Sequence, residues 1–283
     1  MSQSAAAQGR PRLQAPPGAV DTHMHIYLPG RFPYPPGPAA QPAEKNVAMY
    51  TAMLARIGVE RAVIVQPAAY GLDNRCTLAA IAEMGERARG VATVGPDVTD
   101  AELQRLTDAG IRGARFFMLG GAVLRWEQLE GIAARVAAFG WHLHLQFDGR
   151  EFPERLPLLQ RLPGQLVIAH NGKYLEPVPP EHPAFRALLT LVESGRCWVK
   201  LSAPYETSRS GPPTYDDVGA LAKALVRTAP ERMLWASNWP HPGEPEDAKP
   251  DEAMLLDTLL DWAPDDATRR RILADNPAQL YGF

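Results

Sequence analysis

The chain has 283 residues, with 29 Lys and Arg against 32 Asp and Glu, a formal net charge of −3, and 46% hydrophobic residues. A near-neutral balance excludes a general nucleic-acid or anionic-membrane binder, which needs a basic surplus or stripe. The apolar fraction excludes disorder throughout, so the 28 prolines, roughly double the usual frequency of about 5%, predict stiff loops in a folded protein.

In chain order, residues 1–17 are small, polar and Pro-rich, carry Arg10 and Arg12, and lack the apolar core of a secretion signal. They read as a disordered lead-in, with the folded domain spanning 18–283. From there, apolar β-branched runs at Ala19–His25, Arg61–Gln66, Gly90–Val94, Arg112–Met118, Trp141–Phe147, Gln165–His170, Cys197–Ser202 and Arg232–Asn238 predict strands. Amphipathic segments between them, such as Ala43–Ile57, Thr77–Arg87, Asp100–Asp108, Trp126–Phe139 and Tyr215–Arg227, predict helices. Eight βα units in about 250 residues is the arithmetic of an α/β, single-domain (β/α)8 TIM-type barrel. A doubly wound sheet fits less well, because the first strand ends in histidines and not in a Gly-rich turn. The tail, Pro264–Phe283, predicts two short helices packed outside the barrel.

The two cysteines, Cys76 and Cys197, exclude a disulfide framework, and no CxxC spacing is present. No run approaches the ~18 apolar residues of a membrane span. The expected location is the cytoplasm, with no membrane and no nucleic-acid partner and a homo-oligomer left open.

Function in a barrel gathers at the C-terminal ends of the strands. The first strand ends in Asp21-Thr22-His23-Met24-His25, where alternation puts both imidazoles on one face. The second leads to Asp73, Asn74 and Arg75, the fourth offers Arg115, the fifth His144 and Gln146, and the sixth His170 and Lys173. The seventh leads to Ser202, Tyr205, Glu206, Ser208 and Arg209, and the eighth to Asn238 and His241. His142 reads as an interior polar group satisfied by its neighbours, while His144 reads equally as interior or as site. Trp126, Trp198, Trp235 and Trp262 read as packing, and the acidic stretch Glu244–Glu252 as a solvated loop.

Taken together, Asp21-x-His23-x-His25, His170 and Asn238-Trp239-Pro240-His241 resemble the amidohydrolase superfamily. The combination with Gly71-x-Asp73-Asn74, Gly113-Ala114-Arg115 and Trp239-Pro240-His241 narrows the resemblance to its group of pyrone-dicarboxylate hydrolases and galactarolactone isomerases, and the similarity runs from Gly18 to the closing Asn276-Pro277-x-x-Leu280-Tyr281-Gly282-Phe283. Members usually end strand 8 in an aspartate, whereas this chain has Asn238, a neutral amide that neither takes a proton nor binds a cation well. Gly120-Gly121, Gln146-Phe147-Asp148-Gly149 and Tyr205-Glu206-x-Ser208-Arg209 resemble the isomerase pattern.

The resemblance implies a metal-independent enzyme that isomerises or hydrolyses a carboxylated sugar-acid lactone. It implies no cofactor, a divalent metal such as zinc on His23, His25 and His170 being the weaker alternative. Asp73 is the expected acid/base, Asn238 the group opposite it, and His23, His25 and His170 polarise the acyl carbonyl. Arg115, Gln146, Lys173, Tyr205, Arg209 and His241 are expected to bind substrate. The alternatives are a hydrolase of 2-pyrone-4,6-dicarboxylate or a related lactone acid, and a catalytically inactive barrel that binds a small acid.

Overall fold

The apolar runs form the eight strands of one parallel sheet: β1 (Val20–Met24), β2 (Arg61–Val65), β3 (Ala88–Ala92), β4 (Ile111–Phe117), β5 (His142–Gln146), β6 (Leu166–Ile168), β7 (Cys197–Leu201) and β8 (Met233–Trp235). The structure is a computed structural model that describes residues 9–36 and 40–283. Neighbouring strands pair in sequence order. The two sheet edges meet where Met24 bridges to Trp239, with His25 N donating to Trp239 O at 2.8 Å and Asn238 N to His23 O at 2.9 Å. The result is a (β/α)8 barrel.

A helix follows each strand: α1 (Val47–Ile57), α2 (Arg75–Met84), α3 (Asp100–Asp108), α4 (Leu129–Ala137), α5 (Phe152–Arg161), α6 (Pro183–Glu193), α7 (Asp216–Thr228) and α8 (Glu252–Asp257). Their ends are set locally. Asn46 caps α1 by accepting from Met49 N, and Gly58 closes it in the left-handed conformation that favours glycine. Among the described residues no helix is long and apolar enough to cross a membrane.

Two expectations change. Residues 1–8 of the expected disordered lead-in lie outside the described residues, but within 9–17 the chain is anchored: Leu13 is buried, its N–H donates to Asp257 Oδ1 at 2.9 Å, and Arg12 pairs with Asp257 at 3.0 Å. One apolar anchor beside a carboxylate is enough to dock the segment on α8. Beyond α9 (Leu259–Trp262) the tail forms the two short helices expected, α10 (Asp266–Arg270) and α11 (Asn276–Tyr281), joined by a π-helical turn at Arg271–Asp275. It also floors the barrel, because Tyr281 joins the interior cluster of Val20, Val63, Val65, Val91, Val167, Trp198 and Leu234. Asn276 Nδ2 lashes the tail to Pro230 O and Met233 O at 2.8 and 2.7 Å.

Above that floor the interior turns polar. Lys200 is fully buried; its Nζ donates to Thr22 O and lies over the Tyr281 ring, 5.8 Å from the centroid. His142 fits because Gly113 stands opposite, where a Cβ would lie 2.4 Å from His142 Nε2. Burial holds Lys200 well below the ordinary lysine range and pushes His142 down to about 3. His142 Nε2 has no hydrogen-bond partner, so neighbours satisfy this imidazole only in part.

Between pH 6.5 and about 3 the unfolded chain therefore binds protons at His142 that the folded one does not, and stability falls as pH falls through that window. Each such imidazole contributes a slope of about 1.4 kcal/mol per pH unit. Urea titrations at pH 6.5, 5.5 and 4.5 should show at least that slope; equal stability at the three values would mean that the interior histidines charge in the folded state.

Candidate active site

The C-terminal rim of the barrel surrounds a cavity of about 280 Å³. His25, Tyr27, Arg115, Gln146, His170, Lys173, Glu206 and Asn238 line it, with Phe117, Leu119, Gly120, Gly121, Pro42, Pro67 and Pro242 among the remaining wall residues.

On β1, the Asp21 carboxylate is buried and accepts from His23 N at 3.2 Å, Ser237 N at 2.9 Å, Tyr50 Oη at 3.0 Å and Ser237 Oγ. Burial raises its pKa and these hydrogen bonds oppose that rise. His25 Nδ1 lies 2.7 Å from Val65 O, so it bears the proton. Nε2 of His25 is then the lone pair that faces His23 Nε2 at 3.3 Å. Burial first, and then Arg115, push His25 down to about 3. His23 sits beneath, its ring centroid 4.7 Å from His170 and 5.0 Å from His144. Burial likewise holds His23, His144 and His170 well below the usual imidazole range, so the cluster is neutral near pH 7.

His170 ends β6 on a turn in which His170, Asn171 and Lys173 all have positive φ, at 52°, 55° and 51°. Such backbone costs on the order of 1 kcal/mol per residue and marks a constrained site. Two contacts hold the turn: Asn171 Nδ2 donates to Ser202 O at 2.9 Å, and Gly149 N donates to Lys173 O at 2.9 Å. A Cβ at Gly149 would meet Gly172 O at 2.3 Å. The turn sets His170 Nδ1 2.8 Å from Ser202 Oγ.

Arg115, on β4, is buried, and burial lowers its pKa to about 10. Its protein partners are neutral: Gln66 O, and Gln146 Oε1 at 3.1 Å. Opposite, Lys173 pairs with Glu206. Glu206 Oε1 accepts from Asn238 Nδ2 at 3.0 Å, and Tyr205 Oη accepts from the same nitrogen at 2.8 Å. A carboxylate can only accept, which fixes the nitrogen side of the amide towards it.

The structure thus brings His23, His25, His170, Asn238, Arg115, Gln146, Lys173 and Tyr205 together. It does not bring Asp73: Arg75 holds that carboxylate bidentately at 2.8 and 2.6 Å outside the cavity lining and keeps its pKa below the usual range. Arg209 is exposed and only its backbone N–H is used, by Asp217 at 2.7 Å. His241 stands behind the wall, between Tyr205 and Glu252. Glu252, expected in a solvated loop, is buried at the start of α8.

Two lining residues were missing from the expected set. Tyr27 continues the alternation of His23 and His25 by one more step, and Glu206 lies inside the Tyr205-Glu206-x-Ser208-Arg209 run. Among the described residues no three His, Cys, Asp or Glu groups are placed to hold one ion. Strand 8 offers an amide whose nitrogen faces the cavity carboxylate.

The profile of the family described as amidohydrolase matches residues 20–283. D-galactarolactone isomerase of Agrobacterium fabrum is 38% identical over 277 residues, covering 96% of this chain and 93% of that protein. 2-Pyrone-4,6-dicarboxylate hydrolase of Comamonas testosteroni is 35% identical over 283 residues, covering 96% and 92%. An apo crystal structure of an Agrobacterium tumefaciens protein superposes with a TM-score of 0.90 at 38% identity, covering 96% of this chain and 98% of that one. With its histidine motif on β1, His170 after β6 and this agreement over nearly its whole length, the chain belongs to the amidohydrolase family.

Proposed function

We propose that the protein isomerises a carboxylated sugar-acid lactone, of the galactarolactone kind, by acyl transfer without a metal. The carrying observation is Arg115: a buried guanidinium with only neutral protein partners is a cation that awaits an anion, since buried charge is costly unless paired. Its planar fork matches a substrate carboxylate. The walls beside it are Gly120 and Gly121, so a second carboxylate finds no further cation there, which favours a lactone with one free carboxylate over a dicarboxylated pyrone.

Glu206 takes the acid/base role expected of Asp73, because it is the carboxylate that lines the cavity. It accepts the proton of a substrate hydroxyl as that oxygen attacks the acyl carbon and forms the new ring ester. It then returns the proton to the ring oxygen that leaves, so one residue serves both steps and no water is consumed. Lys173 holds the Glu206 carboxylate in place. Asn238 uses Nδ2 on Glu206 and Tyr205 and keeps Oδ1 for a substrate hydroxyl. Ser202 Oγ, which also faces Lys200 O at 3.4 Å, holds His170 by Nδ1 and aims its Nε2 at the acyl carbonyl; the tautomer with the proton on Nε2 is the one that stabilises the developing oxyanion. His23 and His25 brace this arrangement as neutral groups. If water took the hydroxyl's place, the same machinery would hydrolyse the lactone.

Incubation with a galactarolactone followed by NMR should yield a lactone of different ring size; an open-chain diacid as the main product would make the enzyme a lactonase. Glu206→Gln should lower kcat by about 10²–10⁴-fold, whereas Asp73→Asn should change it by less than about 3-fold, and the reverse order would return the acid/base role to Asp73. Arg115→Lys should raise KM by about 10-fold or more through loss of bidentate binding. Purified protein should hold far less than one equivalent of metal and keep its rate in chelator; stoichiometric zinc with chelator-sensitive activity would overturn the metal-free reaction.

A further inference from the structure

Behind the cavity wall runs a largely buried chain of hydrogen bonds of which the proposed steps use only the last link, from Asn238 to Tyr205. It starts at Arg56 on α1, which pairs with both Asp251, at 2.8 Å, and Glu252. The other oxygen of Glu252 lies 3.1 Å from His241 Nε2. His241 Nδ1 lies 3.0 Å from Tyr205 Oη, and Tyr205 Oη lies 2.8 Å from Asn238 Nδ2. His241 and Glu252 are both buried, and they come from the loop after β8 and from α8.

The order of donors follows from the ends of the chain. An arginine-paired carboxylate accepts, so His241 Nε2 bears a proton, and in the neutral imidazole Nδ1 is the lone pair. Tyr205 must then donate to Nδ1, which leaves its oxygen to accept from Asn238. The second Asn238 amide proton goes to Glu206. Both protons are committed, and Oδ1 is what the residue has left for a substrate.

We propose that His241 and Glu252 are positioning residues which, through Tyr205, lock the Asn238 amide with its oxygen towards the substrate. The proposal rests on the cavity being the active site and on Glu206 as its proton carrier. When Glu206 takes up a proton it becomes a donor, and its hold on the amide nitrogen weakens at the step where orientation matters. The Tyr205–His241–Glu252 chain carries no proton in that step and keeps its polarity. A second anchor of fixed sense is therefore needed, and this chain supplies it. His241, expected to touch substrate, acts through two residues, Tyr205 and then Asn238.

The test pairs an activity-free measurement with kinetics. The side-chain amide signals of Asn238, identified by their loss in Asn238→Asp, should be two distinct, slowly exchanging protons in the ligand-free enzyme. In Tyr205→Phe and Glu252→Gln both signals should move and exchange about 10-fold faster, while the melting temperature stays close to wild type. Lactone turnover should fall about 10- to 100-fold in kcat with KM changed less than about 3-fold. Adding Glu252→Gln to Asn238→Ala should cost less than about 2-fold more, because both act through one amide. Unmoved Asn238 signals in the folded variants, or losses that multiply, would overturn the proposal. Should Glu252→Gln not fold, Tyr205→Phe decides alone, since it leaves the Arg56–Glu252–His241 contacts in place. A wild-type enzyme that turns over no lactone would sink the functional reading, and the amide signals would still decide the lock.

Discussion

The seam between β1 and β8 is where the architecture and the site depend on each other. A barrel must join its first and last strands, and here the join rests on one buried carboxylate. Asp21 gathers the backbone of His23 and both the backbone and the hydroxyl of Ser237. Two further backbone bonds, His25 to Trp239 and Asn238 to His23, stitch the next residues. The same few residues thus close the sheet and set the distance between the histidine face of β1 and the amide of Asn238. Burial works against the Asp21 charge, and the four hydrogen bonds it accepts offset that cost. An amide at position 238 has its backbone in the left-handed region, at φ 60°, a conformation that Asn tolerates better than most residues.

Polarity inside the barrel is layered. The floor is valines, Trp198 and the tail's Tyr281. A middle layer of His142, His144, His23 and Lys200 is buried and held towards neutrality by desolvation. Only at the mouth do charges stand in place: Arg115, and the Lys173–Glu206 pair. This gradient lets Arg115 act on an anion without competition, because the imidazoles beneath it add no positive charge. It also gives the cavity one pole for a carboxylate and, across it, a proton carrier beside an oriented amide.

The extent to which the sequence was legible follows the range of the forces involved. Strands, helices and the barrel could be read because alternation and helical period are local signals that burial then enforces. His23, His25, Arg115, His170 and Asn238 could be placed at the mouth because they sit at strand ends, where the chain path leaves little freedom. Asp73 could not be judged that way. Whether a loop carboxylate faces a cavity or a neighbour depends on what stands beside it, and Arg75, two residues on, captured it. Glu206, equally visible in sequence, reached the cavity because Lys173 and Asn238 meet it from two other strands' loops.

By itself, then, the amino-acid order determined the fold class, the strand ends and the families of side chain available there, all set within a few residues along the chain. The tertiary structure alone decided which carboxylate faces the substrate, that residues 9–17 and the tail dock on the barrel, and that Glu252 leaves a seemingly solvated acidic stretch to meet His241. Those outcomes depend on pairings between residues tens to hundreds of positions apart. A polar group's fate is settled by whether a partner is present when it is taken out of water, and no local pattern records that partner.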